Sequence, residues 1–244
     1  MQPPFPSPVP TWHNDTYGAI SPQRAELSSA RKTVIITGAG SGVGRETAMA
    51  FAAAGARRLV LIGRNDSTLA QTKESLKASN NSTTCLNFRA DVADDKAMHE
   101  IAAEVGTWDV FILNAGHIPN PTSIASANLA DYWESYETNV KSVVIAATAF
   151  LPTANKTHAS LIGVAAGALN FPPASTLGLS AYMTSKIAMV KTLEFLAAEN
   201  PGLFVASVHP GMIDTGVFRK SGAKPEMLPM DSGEFMYMAS LKGM

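Results

Sequence analysis

Thr33-Val34-Ile35-Ile36-Thr37-Gly38-Ala39-Gly40-Ser41-Gly42-Val43-Gly44 is a short β-branched run that ends in a glycine-rich turn and opens directly into an apolar-periodic segment. The run reads as a strand over 33–37 and the segment over 42–54 as a helix. Glycines at 38, 42 and 44 suit the turn between them, because missing side chains allow a tight reversal and let a pyrophosphate approach the helix N-terminus. Glycine turns also serve plain strand-to-helix packing. Alone, the turn leaves a nucleotide site and a packing device both open.

The same rhythm continues to residue 208. Short β-branched or apolar runs at 58–62, 84–89, 109–113, 160–164 and 203–208 predict five more strands, and helical periodicity fills 66–79, 94–105, 129–150 and 181–199. Asp66 or Ser67 is the expected N-cap of the helix over 66–79. Such alternation requires parallel strands joined by right-handed crossovers that pack back on the sheet. The predicted fold is α/β, a doubly wound Rossmann-type parallel sheet of six or seven strands with helices on both faces. Ligands of such sheets bind outside the carboxyl ends of the strands, where the strand order reverses.

Composition fits one such domain. The chain has 244 residues, 46% of them hydrophobic, and a mean hydropathy of +0.06, enough for a substantial core. Residues 1–31 read as an N-terminal extension and 32–244 as a single domain. In the extension, Thr11-Trp12-His13 and Tyr17 either pin it to the domain or belong to a mobile polar tail. With 19 basic and 20 acidic residues and no long block of like charge, nucleic acid and anionic membrane are poor partners. Cys85 is the only cysteine, so there is no internal disulfide framework and no cysteine cluster for zinc. No metal site is expected, and a reducing, cytoplasmic compartment fits. Residues 1–10 are proline-rich without the basic and apolar regions of a secretory signal, and no stretch has the roughly eighteen uninterrupted apolar residues of a membrane span.

Three further motifs fall at strand ends or on the helix over 181–199: Asn114-Ala115-Gly116, Tyr182-Met183-Thr184-Ser185-Lys186, and Pro210-Gly211-Met212-Ile213-Asp214-Thr215. With the glycine turn, in this order and over roughly residues 32–241, they resemble the short-chain dehydrogenase/reductase family. The proline-rich extension with Thr11-Trp12-His13 resembles its members from filamentous fungi. The resemblance implies a nicotinamide cofactor cradled by Gly38, Ser41, Gly42, Val43 and Gly44. Its adenine would meet Asp91 and Val92, and its remaining length would run along Asn114, Ala115, Gly116 and Pro210, Gly211, Ile213, Thr215. Tyr182 and Lys186 match the family's catalytic pair, and Lys186 also its ribose ligand. Asn139 matches an asparagine that supports a water relay to the lysine.

The residues themselves say something about each role. Tyr182 and Lys186 are four apart and share one helix face, so an ammonium beside the phenol is expected to lower its pKa from near 10 toward the working range of a general acid or base. After the second strand the chain reads Ile62-Gly63-Arg64-Asn65, with no carboxylate for the adenosine ribose hydroxyls. Arg64 can instead fork onto a 2′-phosphate, which points to NADP(H); a solvated surface arginine is the alternative.

One part is missing. The family places a serine just after the fifth strand to bind the substrate oxygen, and aligning 161–166 with that pattern puts Ala166 there. Ser175 or Ser180 could supply a hydroxyl instead, or serve as loop polarity and helix cap. The alanine could equally be an engineered replacement, or mark a protein that keeps the pocket as an isomerase, cyclase or cofactor-bound binding protein. The leading expectation is an NADP(H)-dependent oxidoreductase interconverting a ketone and a secondary alcohol, weakened by Ala166. Apolar stretches at 169–173 and 212–230, including Phe218, Met227 and Leu228, suggest an apolar small-molecule substrate such as a secondary metabolite. His117, beside the Asn114-Ala115-Gly116 turn, could touch substrate but reads rather as a solvated loop histidine, and His209 reads as structural. Apolar runs at 143–147, 187–190 and 195–198 exceed what one sheet face needs and suggest a homodimer or homotetramer. Family members usually continue past a helix at 233–241 into a last strand, whereas this chain ends at Met244.

Overall fold

Every residue of β1 (Thr33–Thr37) is buried, and its neighbours in the sheet explain why the run is apolar without alternation. In the computed structural model, which describes residues 13, 15, 17–79, 82–227, 230 and 231, β1 pairs in parallel with β2 (Arg58–Gly63) on one side and β4 (Val110–Leu113) on the other. The described residues form one six-stranded parallel sheet in the order β3-β2-β1-β4-β5-β6, with β3 Thr84–Arg89, β5 Ser160–Val164 and β6 Phe204–Val208. The order reverses between β1 and β4, so a crevice opens at their carboxyl ends.

Helices cover both faces. Val34, Ile36, Leu59, Leu61 and Ile112 pack toward α1 (Gly42–Ala53) and α2 (Asp66–Ser79), burying Phe51, Leu69 and Leu76. Ile35, Val60, Phe111 and Leu161 face the other way, onto α3 (Asp95–Val105), α5 (Ser142–Phe150) and α6 (Ser180–Glu199), through Met98, Ile101, Phe150, Met189 and Leu193. Strands buried on both faces read as continuous apolar runs, which is why the sheet was predictable.

Three expectations need correction. The helix expected over 129–150 is interrupted: α4 (Leu129–Tyr136) passes through a π-helical turn, Glu137–Lys141, before α5. Such wide turns insert a residue into the helical repeat and often mark functional sites; this one carries Asn139. The cap of α2 is Asn65, whose Oδ1 accepts from the amides of Ser67 (2.9 Å) and Thr68 (3.3 Å), so neither Asp66 nor Ser67 caps. Asp109 stands just before β4, its carboxylate accepting from the Thr33 amide at 2.7 Å. At the other end of the chain, Ser29 donates its amide to the Ala54 carbonyl and Ala30 bridges to Ala56, which docks this part of the N-terminal segment beyond α1. His13 stacks on Tyr17 at 3.9 Å between ring centres, while Thr11, Trp12 and the helix expected over 233–241 lie outside the described residues.

Candidate active site

The glycine turn after β1 is shaped by its neighbours. Gly38 has φ +65°, and a Cβ there would come within 2.9 Å of Asn114 Nδ2. At Gly44 a Cβ would stand 2.3 Å from the Gly38 carbonyl oxygen, so the first turn of α1 can fold against the strand end only without a side chain. Asn114 then ties the turn to β4, its Nδ2 donating to the carbonyls of Thr37 (2.9 Å) and Gly38 (3.3 Å). Thr37 Oγ1 accepts from the amides of Asn114 and Ala115, both at 3.0 Å. Ser41 precedes α1 with no side-chain bond to the helix, so the first-turn amides are left to the crevice.

That crevice is a cleft of about 1010 Å³, at the upper end of small-molecule sites. It receives all the expected cofactor residues except Gly44: Gly38, Ser41, Gly42 and Val43, then Arg64, Asp91 and Val92, then Asn114, Ala115 and Gly116, and finally Pro210, Gly211, Ile213 and Thr215. Tyr182, Lys186 and Ala166 open on the same cleft. Gly44 lies behind it, as a packing glycine. An extended cleft, an uncapped helix N-terminus at one end and a cationic Arg64 suit an anionic dinucleotide.

Asn139 also stands back from the cleft and is 1% exposed. Its Oδ1 accepts from the His117 amide at 2.9 Å, while its Nδ2 donates to the His117 carbonyl at 3.0 Å and to Ser185 Oγ at 2.9 Å. Ser185 in turn donates to the Tyr182 carbonyl at 2.8 Å, so the π turn is fastened to the first turns of α6. A Cβ at Gly116 would lie 3.3 Å from Asn139 Oδ1 and 3.5 Å from Lys186 Nζ. The two polar ends thus converge on a glycine.

The electrostatics differ from expectation. Lys186 is 3% exposed, and its Nζ donates to the Val164 carbonyl at 2.7 Å while lying 6.0 Å from the centre of the Tyr182 ring. Burial pushes Lys186 down to about 8 and pushes Tyr182 up to about 12. The ammonium turned toward Val164 does not offset the desolvation of the phenol, so the expected lowering of the Tyr182 pKa is not what this geometry gives.

Stability should register the buried lysine. Its folded pKa lies below the unfolded value of 10.5, so the cost of burying the ammonium is full below pH 8 and fades as pH rises toward 10.5. A shift of this size corresponds to about 3 kcal/mol, comparable with the roughly 1.5 to 3 kcal/mol of a hydrogen bond donated by a charged group such as that to Val164. The stability of Lys186→Met relative to the parent is therefore expected to be greatest at pH 7 to 8 and to fall as pH rises to about 10.5. Thermal melts of both proteins across that range test this; a difference that does not change with pH overturns it.

Several lining residues carry no local sequence signal. Phe171, Met212 and Phe218 line the cleft as expected, but so do Leu177, Leu179, Met183 and Val217, whereas Leu169, Asn170, Pro172 and Pro173 do not; Leu228 lies outside the described residues. Of the two candidate serines, Ser175 faces the cleft and Ser180 does not. His209 also lines it, its ring so close to Gly167 that a Cβ there would fall 2.4 Å from Cδ2. His117 is not a solvated loop residue: its side chain is 11% exposed and faces Asp131 and Glu134. Those three could group around a cation, but the Arg64 guanidinium already stands against Glu134.

Comparison with known proteins agrees with this fold. A family model described as short chain dehydrogenase matches residues 32–226. Similar chains include the short chain dehydrogenase mpl6 of Monascus purpureus, 33% identical over 84% of this chain and 73% of its own. Another is the short chain dehydrogenase pigC of Monascus ruber, 34% identical over 85% and 70%. Among solved structures, the oxidoreductase yciK from E. coli superposes with a TM-score of 0.79 over 90% of this chain and 92% of its own, at 21% identity. A short chain dehydrogenase from Shigella flexneri 2a str. 301, complexed with NADP, gives a TM-score of 0.77 over 89% and 93%, also at 21% identity.

Proposed function

The chain belongs to the short-chain dehydrogenase family, and on that premise we propose that it is an NADP(H)-dependent oxidoreductase acting between a ketone and a secondary alcohol on an apolar small molecule. The observation that carries this reading is that the Tyr182 phenol opens on the same cleft as the glycine turn and Arg64. The nicotinamide cofactor, when bound, supplies or accepts the hydride. Gly38, Ser41, Gly42 and Val43 with the α1 N-terminus would hold its pyrophosphate, Asp91 and Val92 its adenine, and Asn114 to Gly116 with Pro210 to Thr215 its remaining length. Arg64, with no carboxylate at the end of β2, favours the 2′-phosphate, and the NADP complex of the Shigella flexneri structure supports that choice by analogy.

Tyr182 gives its proton to the carbonyl oxygen as it is reduced. A phenol pushed up to about 12 keeps that proton at neutral pH, which favours the reducing direction. Lys186 holds the ribose side of the site and Asn139 fixes the turn behind it. Phe171, Leu177 and Phe218 give the outer cleft an apolar wall for the substrate. Direct titration of the protein with NADPH, then loss of NADPH absorbance with a panel of apolar ketones, tests the reading. Failure to bind either nicotinamide cofactor overturns it. Ala166 favours one second reading, a cofactor-bound member with little redox turnover; binding of NADPH without its consumption by any ketone supports that instead.

Among the described residues no helix is long and apolar enough to cross a membrane. Val144, Ile187 and Phe195 instead stand 50%, 53% and 61% exposed on α5 and α6. A symmetric copy would bury them, and we expect at least a dimer by sedimentation at micromolar concentration. A monomer there overturns the expectation.

A further inference from the structure

At the adenosine end of the cleft, Arg64 already has partners. Its Nη1 lies 3.5 Å from Glu134 Oε1 and 3.9 Å from Asp91 Oδ2. The other Glu134 oxygen lies 3.6 Å from His117 Nε2, and Asp131 Oδ1 is 3.8 Å from the same nitrogen. One carboxylate on α4 therefore spans a guanidinium that follows β2 and an imidazole that follows β4.

The two contacts are similar in length, 3.5 and 3.6 Å, and differ in how exposed and how fixed the partner of Glu134 is. The Arg64 and Glu134 side chains are 62% and 44% exposed, and a separation of 3.5 Å is too long for a strong hydrogen bond, so this pair is weak and easily exchanged. A phosphate offers the same guanidinium a forked, charge-assisted bond. Taking Arg64 would leave the phosphate beside an uncompensated Glu134. His117 is fixed where it can hold that carboxylate in part: its amide and carbonyl are both bound by Asn139, its side chain is only 11% exposed, and because burial holds its pKa below the usual imidazole value it faces Glu134 at neutral pH as a neutral ring rather than a full counter-charge.

We propose that Glu134 is a specificity-determining residue for the cofactor, a counter-ion that the 2′-phosphate displaces from Arg64 and that His117 then retains. The proposal rests on the NADP(H) reading and deepens it. Glu134 lowers the advantage of NADPH over NADH, and His117 restores part of it.

Titrations of NADPH and of NADH into the parent, Glu134→Gln, His117→Gln and the double variant test this without relying on turnover. Glu134→Gln is expected to tighten NADPH about 2- to 5-fold, the worth of an exposed ion pair, and to leave NADH unchanged. His117→Gln is expected to weaken NADPH by a smaller factor, and the double variant to lose that penalty. NADPH binding in Glu134→Gln that is equal to or weaker than the parent's, or an equal gain for NADH, overturns the proposal while leaving the cofactor reading intact. A parent that binds NADH as tightly as NADPH overturns both, and is recognised before any variant is compared.

Discussion

Tyr182→Phe is expected to lower turnover about 10²- to 10⁴-fold while NADPH still binds. The substitution removes one oxygen and keeps the ring. It leaves the local scaffold alone, because Ser185 and Asn139 fasten this turn of α6 through the Tyr182 backbone carbonyl and not through the phenol. The parent should also show a pH signature. With the phenol held up to about 12, carbonyl reduction uses the form already present and should be level through neutral pH, whereas alcohol oxidation needs phenolate and should climb as pH rises. Initial rates in both directions, across neutral and alkaline pH, read both effects. A Tyr182→Phe protein with the parent's turnover would assign proton transfer to another group, and His209 on the same cleft would be the first to examine.

What the sequence could reveal follows from how far each signal reaches along the chain. β1, β2 and β4 are buried on both faces, so their apolar runs announced a covered parallel sheet, and the glycine turn followed from its place between β1 and α1. The π turn at Glu137–Lys141 was hidden because one inserted residue hardly disturbs apolar periodicity over two dozen positions. Asn65, Asp66 and Ser67 are all competent caps, and only the backbone path selects Asn65. The spacing of Tyr182 and Lys186 predicted a shared face correctly but not where the ammonium points, which depends on the Val164 carbonyl at the end of a different strand. Glu134 was invisible for the same reason. Its partners Arg64 and His117 are distant in sequence and meet it only through the fold.

Ala166→Ser is expected to raise ketone reduction about 10²- to 10³-fold, the usual worth of one preorganised donor at a developing oxyanion. The position tolerates the change: Ala166 is in ordinary extended backbone, φ −126° and ψ 129°, and lines the open cleft rather than the packed core. An added hydroxyl therefore costs little in packing and faces the volume that Tyr182 also faces. The size of the gain separates the ways the parent can work. Of the two candidate serines, Ser175 is the one on the cleft, since Ser180 lies off it. If Ser175 already binds the substrate oxygen, Ala166→Ser should change turnover little and Ser175→Ala should lower it by a comparable factor. If neither hydroxyl matters and NADPH is bound but never consumed, the redox reading gives way to a cofactor-bound protein of other activity. Comparing the three proteins on one ketone panel, with NADPH binding measured in each, distinguishes a missing donor from a replaced one because only the missing donor yields a gain from serine at 166.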